Sequence, residues 1–204
     1  GDSSMSQLKL TADSGGGTVA IKAPASTTGN AALELTVPST ASDTLDSLKR
    51  AGNIIQVVQS TKTDTTTSTA SSFADLTGLS ATITPTFSTS KILFQYVIPF
   101  SHRQSYVHFR LVRGSTPIFV ADAASNRSQT TYGTWANNDD GDYITKLFSG
   151  LFLDSPATTS AVTYKIQAFV TNSSTVYINR SKGDDDQTYE PRQASNIILT
   201  EVAA

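Results

Sequence analysis

The feature that most constrains the fold of this chain is an alternation of apolar and polar residues that recurs from residue 54 onward. Every second residue from Ile92 to Ile98 is large and apolar, and residues 107–112 and 162–171 repeat the pattern. Because successive side chains of a β-strand point to opposite faces, this period predicts strands with one buried face. A spacing that suits a helix occurs only in residues 43–50. About eight strands in roughly 150 residues predict an all-β fold, an antiparallel β-sandwich of the jelly-roll type.

Composition argues against several classes of protein. Charged residues make up 16% of the 204 residues, below the usual share of about a quarter. The absence of Cys excludes disulfides and thiolate chemistry. A formal net charge of −2 argues against nucleic acid as a partner. The sequence has neither a signal peptide at its start nor an apolar run near the roughly 20 residues of a membrane helix. We therefore expect a soluble protein that is made in a cytoplasm and does not insert into membranes.

The first fifty residues differ from the rest and predict a separate segment. They contain two short alternating stretches, residues 18–22 and 32–37, with too few large apolar side chains to bury a core. An isolated pair of strands is marginal in water, so residues 1–50 are interpreted as an N-terminal attachment or stem segment that packs on something else. Residues 1–4 are interpreted as a cloning remnant, and residues 51–204 as the head domain. The Thr-rich stretch 63–72 fits either a flexible linker or an exposed edge strand.

Two long polar connections, residues 121–143 and 180–193, provide the candidate binding residues. They carry Tyr132, Trp135, Asn137, Tyr143 and Tyr189. Flat amphipathic rings beside polar neighbours are typical of surfaces that bind sugars or proteins, because the ring stacks while the neighbours fix orientation. The alternative is that these rings fold back and cover the ends of the sandwich.

Residues with catalytic or metal-binding chemistry are few. His108 and Arg110 share one face of a predicted strand and are candidates for a subunit interface; no Gly-x-Ser-x-Gly nucleophile elbow accompanies the two histidines. Asp139, Asp140 and Asp142 are weak calcium candidates, because their loop lacks the closing Glu of an EF-hand. We therefore expect a protein without enzymatic activity, without a cofactor and without a firm metal site.

Several stretches of the chain resemble tail-fibre-like and virion structural proteins of marine phages, cyanophages especially. The resemblance lies in residues 8–11, 17–24 and 33–38, and continues in residues 55–59, 73–79, 83–85, 90–93, 110–114, 152–156 and 162–166. It covers nearly the whole chain after Met5 and consists of β-scaffold segments. It implies a virion component assembled in the host cytoplasm, a homotrimer, and a jelly-roll head after an attachment segment that contacts other virion proteins.

Three functions follow as hypotheses. The first is a tail-fibre or fibre-like attachment protein that contacts a glycan or protein of the host surface. The second is a capsid decoration protein that holds shell subunits together, and the third is a carbohydrate-binding module. A polysaccharide-degrading spike is disfavoured, since it usually has a long repetitive β-helix and this chain has no such repeat.

Overall fold

The computed structural model describes residues 7–11, 18–22, 50–136 and 143–204, and every regular element in these ranges is a β-strand. The chain divides into two compact units, Gly1–Asp46 and Ser47–Ala204. In the first unit, β1 (Gln7–Thr11) and β2 (Thr18–Lys22) pair antiparallel. The strand predicted at residues 18–22 is thus confirmed. The strand predicted at 32–37 lies outside the described residues, as does the helical turn at 43–50 except for Arg50.

The described residues of the second unit form eleven further strands. These are β3 (Ile54–Lys62), β4 (Thr66–Ser68), β5 (Ala74–Ile83), β6 (Lys91–Ser101), β7 (Ser105–Arg113), β8 (Thr116–Ile118), β9 (Tyr132–Ala136), β10 (Lys146–Asp154), β11 (Val162–Val170), β12 (Val176–Ile178) and β13 (Ser195–Val202).

Eight of these strands form nested antiparallel pairs, in which early strands pair with late ones. β3 pairs with β13, β5 with β11, β6 with β10 and β7 with β9, all antiparallel. β6 also pairs with β13, and β7 with β11. The result is two sheets, sheet 1 in the order β3-β13-β6-β10 and sheet 2 in the order β5-β11-β7-β9. This nested order is that of a jelly roll, so the predicted sandwich type is confirmed.

Three short strands extend the sheets. β12 pairs with the end of β6 and with β4 in sheet 1, and β8 pairs with β7 in sheet 2. β4 lies within the Thr-rich stretch 63–72 and forms the last strand of sheet 1 in that direction. Of the two interpretations of this stretch, the edge strand is therefore the one the structure shows.

The inward faces of the two sheets share one apolar core. Ile92, Phe94 and Ile98, on the predicted inner face of β6, are completely buried. Phe94 meets Tyr164 of β11 edge-on with ring centroids 5.5 Å apart, so the two sheets interdigitate. Burying a side chain of this size contributes about 1.5–3 kcal/mol to stability. The alternation of β6 thus becomes the main apolar layer of the core.

A buried carboxylate ties the two sheets together. Asp154, at the end of β10 in sheet 1, accepts Arg113 Nη1 on both oxygens at 2.9 Å. It also accepts the Tyr164 hydroxyl at 2.6 Å. Burial raises the pKa of the Tyr164 phenol, and the hydrogen bond to Asp154 raises it further. Because Arg113 and Tyr164 belong to sheet 2, this Arg113–Asp154–Tyr164 triad spans the sandwich.

A second buried carboxylate fixes the connection between β5 and β6. Glu201 of β13 is fully buried and accepts Gln56 Nε2 at 2.6 Å, the Thr86 backbone N–H at 2.7 Å and the Phe87 backbone N–H at 3.3 Å. Burial by itself raises the pKa of Glu201, but these hydrogen bonds outweigh it and leave the pKa below its ordinary value. The carboxylate therefore holds Thr86 and Phe87 against sheet 1.

Candidate functional site

The outer face of sheet 2 carries a pair of exposed aromatic rings. Tyr106 of β7 lies directly opposite Trp135 of β9 in the strand register. The ring centroids are 4.6 Å apart with the planes inclined by 50°. Tyr106 is 50% exposed and Trp135 is 42% exposed. Half of each ring is thus available to a ligand, while the contact between the two rings holds them in place.

His108 continues the row of rings toward β11. Its imidazole stacks on Phe169 at 4.4 Å and lies 6.1 Å from Tyr106. Burial lowers the pKa of His108, so the ring is mainly neutral at pH 7. The Nδ1 atom is enclosed and has no hydrogen-bond partner among the described residues. A Cβ atom at Gly133, the residue opposite His108, would lie 3.1 Å from this nitrogen, and glycine therefore lets the imidazole lie flat against β9.

These rings line a groove of about 510 Å³ on the surface of sheet 2. The other contributors are polar or small, and the complete lining is Tyr106, His108, Arg127, Ser128, Thr130, Gly133, Thr134 and Trp135. Arg127 is the charged member of this set, and within the described residues it makes no ion pair with a carboxylate. The groove thus joins two flat apolar surfaces with a cation, hydroxyl groups and backbone polar groups.

Hydrogen bonds hold the loop wall of the groove in place. The Thr131 hydroxyl donates to the Phe119 carbonyl at 2.9 Å and accepts the Leu111 backbone N–H at 3.2 Å. The Thr131 backbone N–H donates to the Phe109 carbonyl at 2.9 Å. These bonds fix Thr131 to β7, and residues 127–130, which immediately precede it, form the loop wall of the groove.

Arg110 lies beside this row of rings and is already engaged within its own chain. Its guanidinium carbon lies 4.0 Å from the centre of the Phe73 ring, and its Nε donates to Gln167 at 2.8 Å. Asp75 extends the network by accepting Gln167 at 2.6 Å and Lys165 at 2.7 Å. The role of His108 and Arg110 at a subunit interface stays a prediction.

The structure separates the predicted binding residues into three places. Trp135 lies in the groove. Tyr132 belongs to the same strand but faces the opposite way, with its ring 5.6 Å from Phe148 of the core. Tyr143 and Tyr189 form an edge-to-face pair with ring centroids 5.1 Å apart, outside the groove. The interpretation of Tyr132 and Trp135 as lying outside a strand is wrong, because β9 contains both.

The remaining predicted residues fall in a stretch that the structure leaves undescribed. Asn137 and the weak calcium candidates Asp139, Asp140 and Asp142 lie outside the described residues. Among the residues that are described, no three His, Asp or Glu side chains cluster as metal ligands. In the same part of the chain, no helix is long and apolar enough to cross a membrane.

Sequence reasoning missed Tyr106, Gly133 and Arg127 as members of the site. Tyr106 precedes His108 by two residues, so the alternation of β7 places both on the outer face. The spacing of two residues could therefore have identified Tyr106 from the sequence. Arg127 had no comparable signal, since it lies in a loop whose path depends on contacts with β7.

Comparisons with known proteins identify no family for this chain. No protein-family model matches the sequence, and no curated protein matches it. Among solved structures, the chain is similar to the crystal structure of infectious bursal disease virus VP2 subviral particle, with 15% sequence identity and a TM-score of 0.33. The match covers 92% of this chain and 47% of the VP2 chain. A likeness at this level carries no argument about function, and the jelly-roll assignment depends on the strand pairings given above.

Proposed function

We propose that this protein is a virion attachment protein of the tail-fibre type, whose head binds a saccharide of the host surface in the groove of sheet 2. The observation that carries the proposal is the exposed Tyr106–Trp135 pair in a groove otherwise lined by polar and small residues. The virion role comes from the resemblance to phage fibre proteins, and the ligand class comes from the groove. Neither role requires a cofactor or catalysis.

The groove has the chemistry that a sugar ring requires. One face of a pyranose presents C–H groups that stack on an aromatic ring, while its hydroxyls need donors and acceptors around the rim. Tyr106 and Trp135 supply the flat apolar surface, and Arg127, Ser128 and Thr130 supply polar groups. The volume of about 510 Å³ lies within the range of about 300–1,000 Å³ for small-ligand sites. One or two sugar units fill such a space.

The partners of the proposed attachment protein follow from the resemblance. The head acts as a homotrimer, and residues 1–50 contact other virion proteins. A capsid decoration protein would place its function in residues 1–50, of which the structure describes β1, β2 and Arg50. A carbohydrate-binding module would use the same groove, and differs only in the assembly to which the head is attached.

Trp135 gives a direct test, because it is the only tryptophan of the chain. We expect its fluorescence to change on titration with saccharides that are first identified by screening the protein on an array of bacterial surface oligosaccharides. Calorimetry with the best binder then compares three variants. Trp135→Ala should weaken binding at least tenfold, Trp135→Phe should retain most of it, and Tyr189→Ala should leave it unchanged, since that exposed ring lies outside the groove.

The attachment role needs a second measurement, the binding of the labelled protein to host cells. Loss of cell binding in folded Trp135→Ala, with normal binding in Tyr189→Ala, supports the proposal. Equal affinity of wild type and Trp135→Ala for both cells and saccharide would overturn it. Saccharide binding without any cell attachment would favour the carbohydrate-binding module.

A further inference from the structure

The outer face of sheet 1, on the side opposite the groove, carries a set of exposed apolar side chains. Leu147, Leu151 and Leu153 of β10 are 53%, 62% and 47% exposed. Val97 of the neighbouring strand β6 is 45% exposed, and Val57 of β3 is 58% exposed. Exposed apolar surface such as that along β10 and β6 is uncommon on a soluble monomer and usually marks a contact with another molecule.

The strand β10 is unusual because it is apolar on both faces. Phe148 and Phe152 point inward, the first buried and the second packed against the core. A strand with one solvated face normally alternates apolar with polar residues. The outward leucines of β10 break this rule at three of four positions, with Ser149 as the fourth. Packing of the core does not explain these leucines, since they face away from it.

Strand register joins these residues into one surface. Leu153 lies opposite Leu93, Leu151 opposite Gln95, and Ser149 opposite Val97. The small side chain of Ser149 leaves a depression of about 310 Å³ beside the projecting Leu151. The surface therefore has both a projection and a hollow of side-chain size. We call this surface, the outward residues of β10, β6, β13 and β3, the sheet 1 face.

The sheet 1 face carries almost no charge. Lys91, at one end of β6, is the charged outward residue of the four strands. The outer face of sheet 2 differs, because Arg110, Lys165 and Asp75 form a polar network there. Two copies of the sheet 1 face can therefore meet without repulsion between like charges, and no excess charge selects a partner of opposite sign.

The free edge of sheet 1 adds hydrogen-bonding capacity beside the apolar surface. One side of β10 pairs with β6, and its other side pairs with no described strand. Unpaired strand edges invite pairing with another chain. Four strands of about nine residues cover roughly 30 Å by 19 Å, or about 570 Å² in plan. Projecting side chains make the accessible area larger than this plan area, so it approaches the roughly 800 Å² per partner of a standard interface.

We propose that the sheet 1 face is the surface through which copies of this chain associate. The occupant is a second copy, because the face is apolar along β10, carries only uncharged polar groups such as Gln59 and Asn196 on β3 and β13, has a projection and a hollow, and is close in size to a standard interface. The proposal goes beyond ligand binding and does not depend on it. Association on sheet 1 leaves the groove on sheet 2 exposed in every copy, so each test can fail without the other.

The experiment measures the solution mass of the full chain by light scattering at about 1–100 μM, because interfaces of this size have dissociation constants of about micromolar or below. We expect a dimer or trimer for the wild type, and at least a tenfold weaker association for Leu147→Glu and for Leu151→Glu, because a charge buried in the contact is costly. Ser80→Glu, which places the same charge on an exposed strand position of sheet 2, should associate like the wild type. Far-UV circular dichroism checks that each variant is folded.

Either of two results overturns the proposal. The first is a wild-type monomer over the whole concentration range, as expected if residues of the same chain cover the face. The second is a stable oligomer in both leucine variants, or in the folded one if the other does not fold. The measured mass also tests the predicted trimer, since a dimer would support the sheet 1 face and contradict the trimer.

Discussion

The strongest prediction about stability concerns the Arg113–Asp154–Tyr164 triad between the sheets. We predict that Asp154→Asn lowers the free energy of unfolding by about 2–3 kcal/mol. The substitution keeps the shape of the side chain but removes its charge and replaces one acceptor oxygen by an NH₂ donor. Asp154 is only 6% exposed, so water has little access to the side chain at this position.

The magnitude follows from the three hydrogen bonds that Asp154 accepts. A hydrogen bond to a charged partner contributes about 1.5–3 kcal/mol, and a neutral one contributes about 0.5–1.5 kcal/mol. In the variant, the two bonds from Arg113 at 2.9 Å lose their charged acceptor, and the new NH₂ group faces a donor. The Arg113 side chain is 29% exposed, so partial hydration of the guanidinium keeps the loss toward the lower end.

Asp75→Asn is the matched control, since it makes the same chemical change in an exposed ion pair. Asp75 accepts Lys165 at 2.7 Å, and its side chain is 53% exposed. An exposed pair of this kind contributes less than about 1 kcal/mol. Urea unfolding followed by circular dichroism and by Trp135 fluorescence gives the free energy of both variants.

The refuting results are specific. Equal losses in Asp154→Asn and Asp75→Asn would show that burial does not strengthen the triad. A loss below about 0.5 kcal/mol, the size of an ordinary surface substitution, would show that the triad does not join the sheets. Tyr164→Phe should cost about 1 kcal/mol in the wild type and less in the Asp154→Asn background, because the two groups share one interaction.

Three further predictions follow from the geometry. Gly150→Ala should cost about 1–3 kcal/mol in urea unfolding, because a Cβ there would lie 2.8 Å from the Tyr96 hydroxyl oxygen; Tyr96→Phe should recover most of this loss, and no recovery would contradict the contact. The pKa of Glu201 is lowered, so its contribution to stability is present above the ordinary carboxyl pKa of about 4.3 and is lost as the pH falls below it. The urea midpoint should therefore decrease less between pH 7 and pH 3.5 in Glu201→Gln than in the wild type. Equal decreases in the two proteins would refute this role. Arg127→Gln should weaken calorimetric binding of carboxylated saccharides by about tenfold and leave neutral ones nearly unchanged, and an equal effect on both would exclude Arg127 as a carboxylate contact.

The sequence predicted the class of fold because the strongest signal in it is local. The alternation from Ile92 to Ile98 assigned the buried face of β6, and residues 162–171 did the same for β11. The pairing of β3 with β13 is not local, since Val58 lies opposite Leu199. No short-range pattern in one sequence specifies such a partner. The jelly-roll type was inferred from strand number, and the pairing itself required the structure.

The candidate site could be predicted only in part. Trp135 was a candidate because of its ring and its polar neighbours, but β9 was missed, because its five residues include a glycine and lie inside a long polar connection, although Tyr, Thr and Trp favour strands. Pairing with β7 shows that this segment is a strand. Once it is a strand, Tyr132 and Trp135, three residues apart, must face opposite sides. The partners Tyr106 and His108 come from another strand, whose register the sequence does not specify.

The position of β13 has a consequence for synthesis of the protein on the ribosome. This strand lies between β3 and β6 in sheet 1, so it supplies a central part of that sheet and the core residues Ile197 and Leu199. Translation proceeds at about 5–20 residues per second, and β3 therefore leaves the ribosome many seconds before its partner exists. During that time the apolar strands β3 and β6 are exposed without their shared neighbour. The head must complete its folding after residues 195–202 have emerged, and a nascent chain stalled before them should bind chaperones.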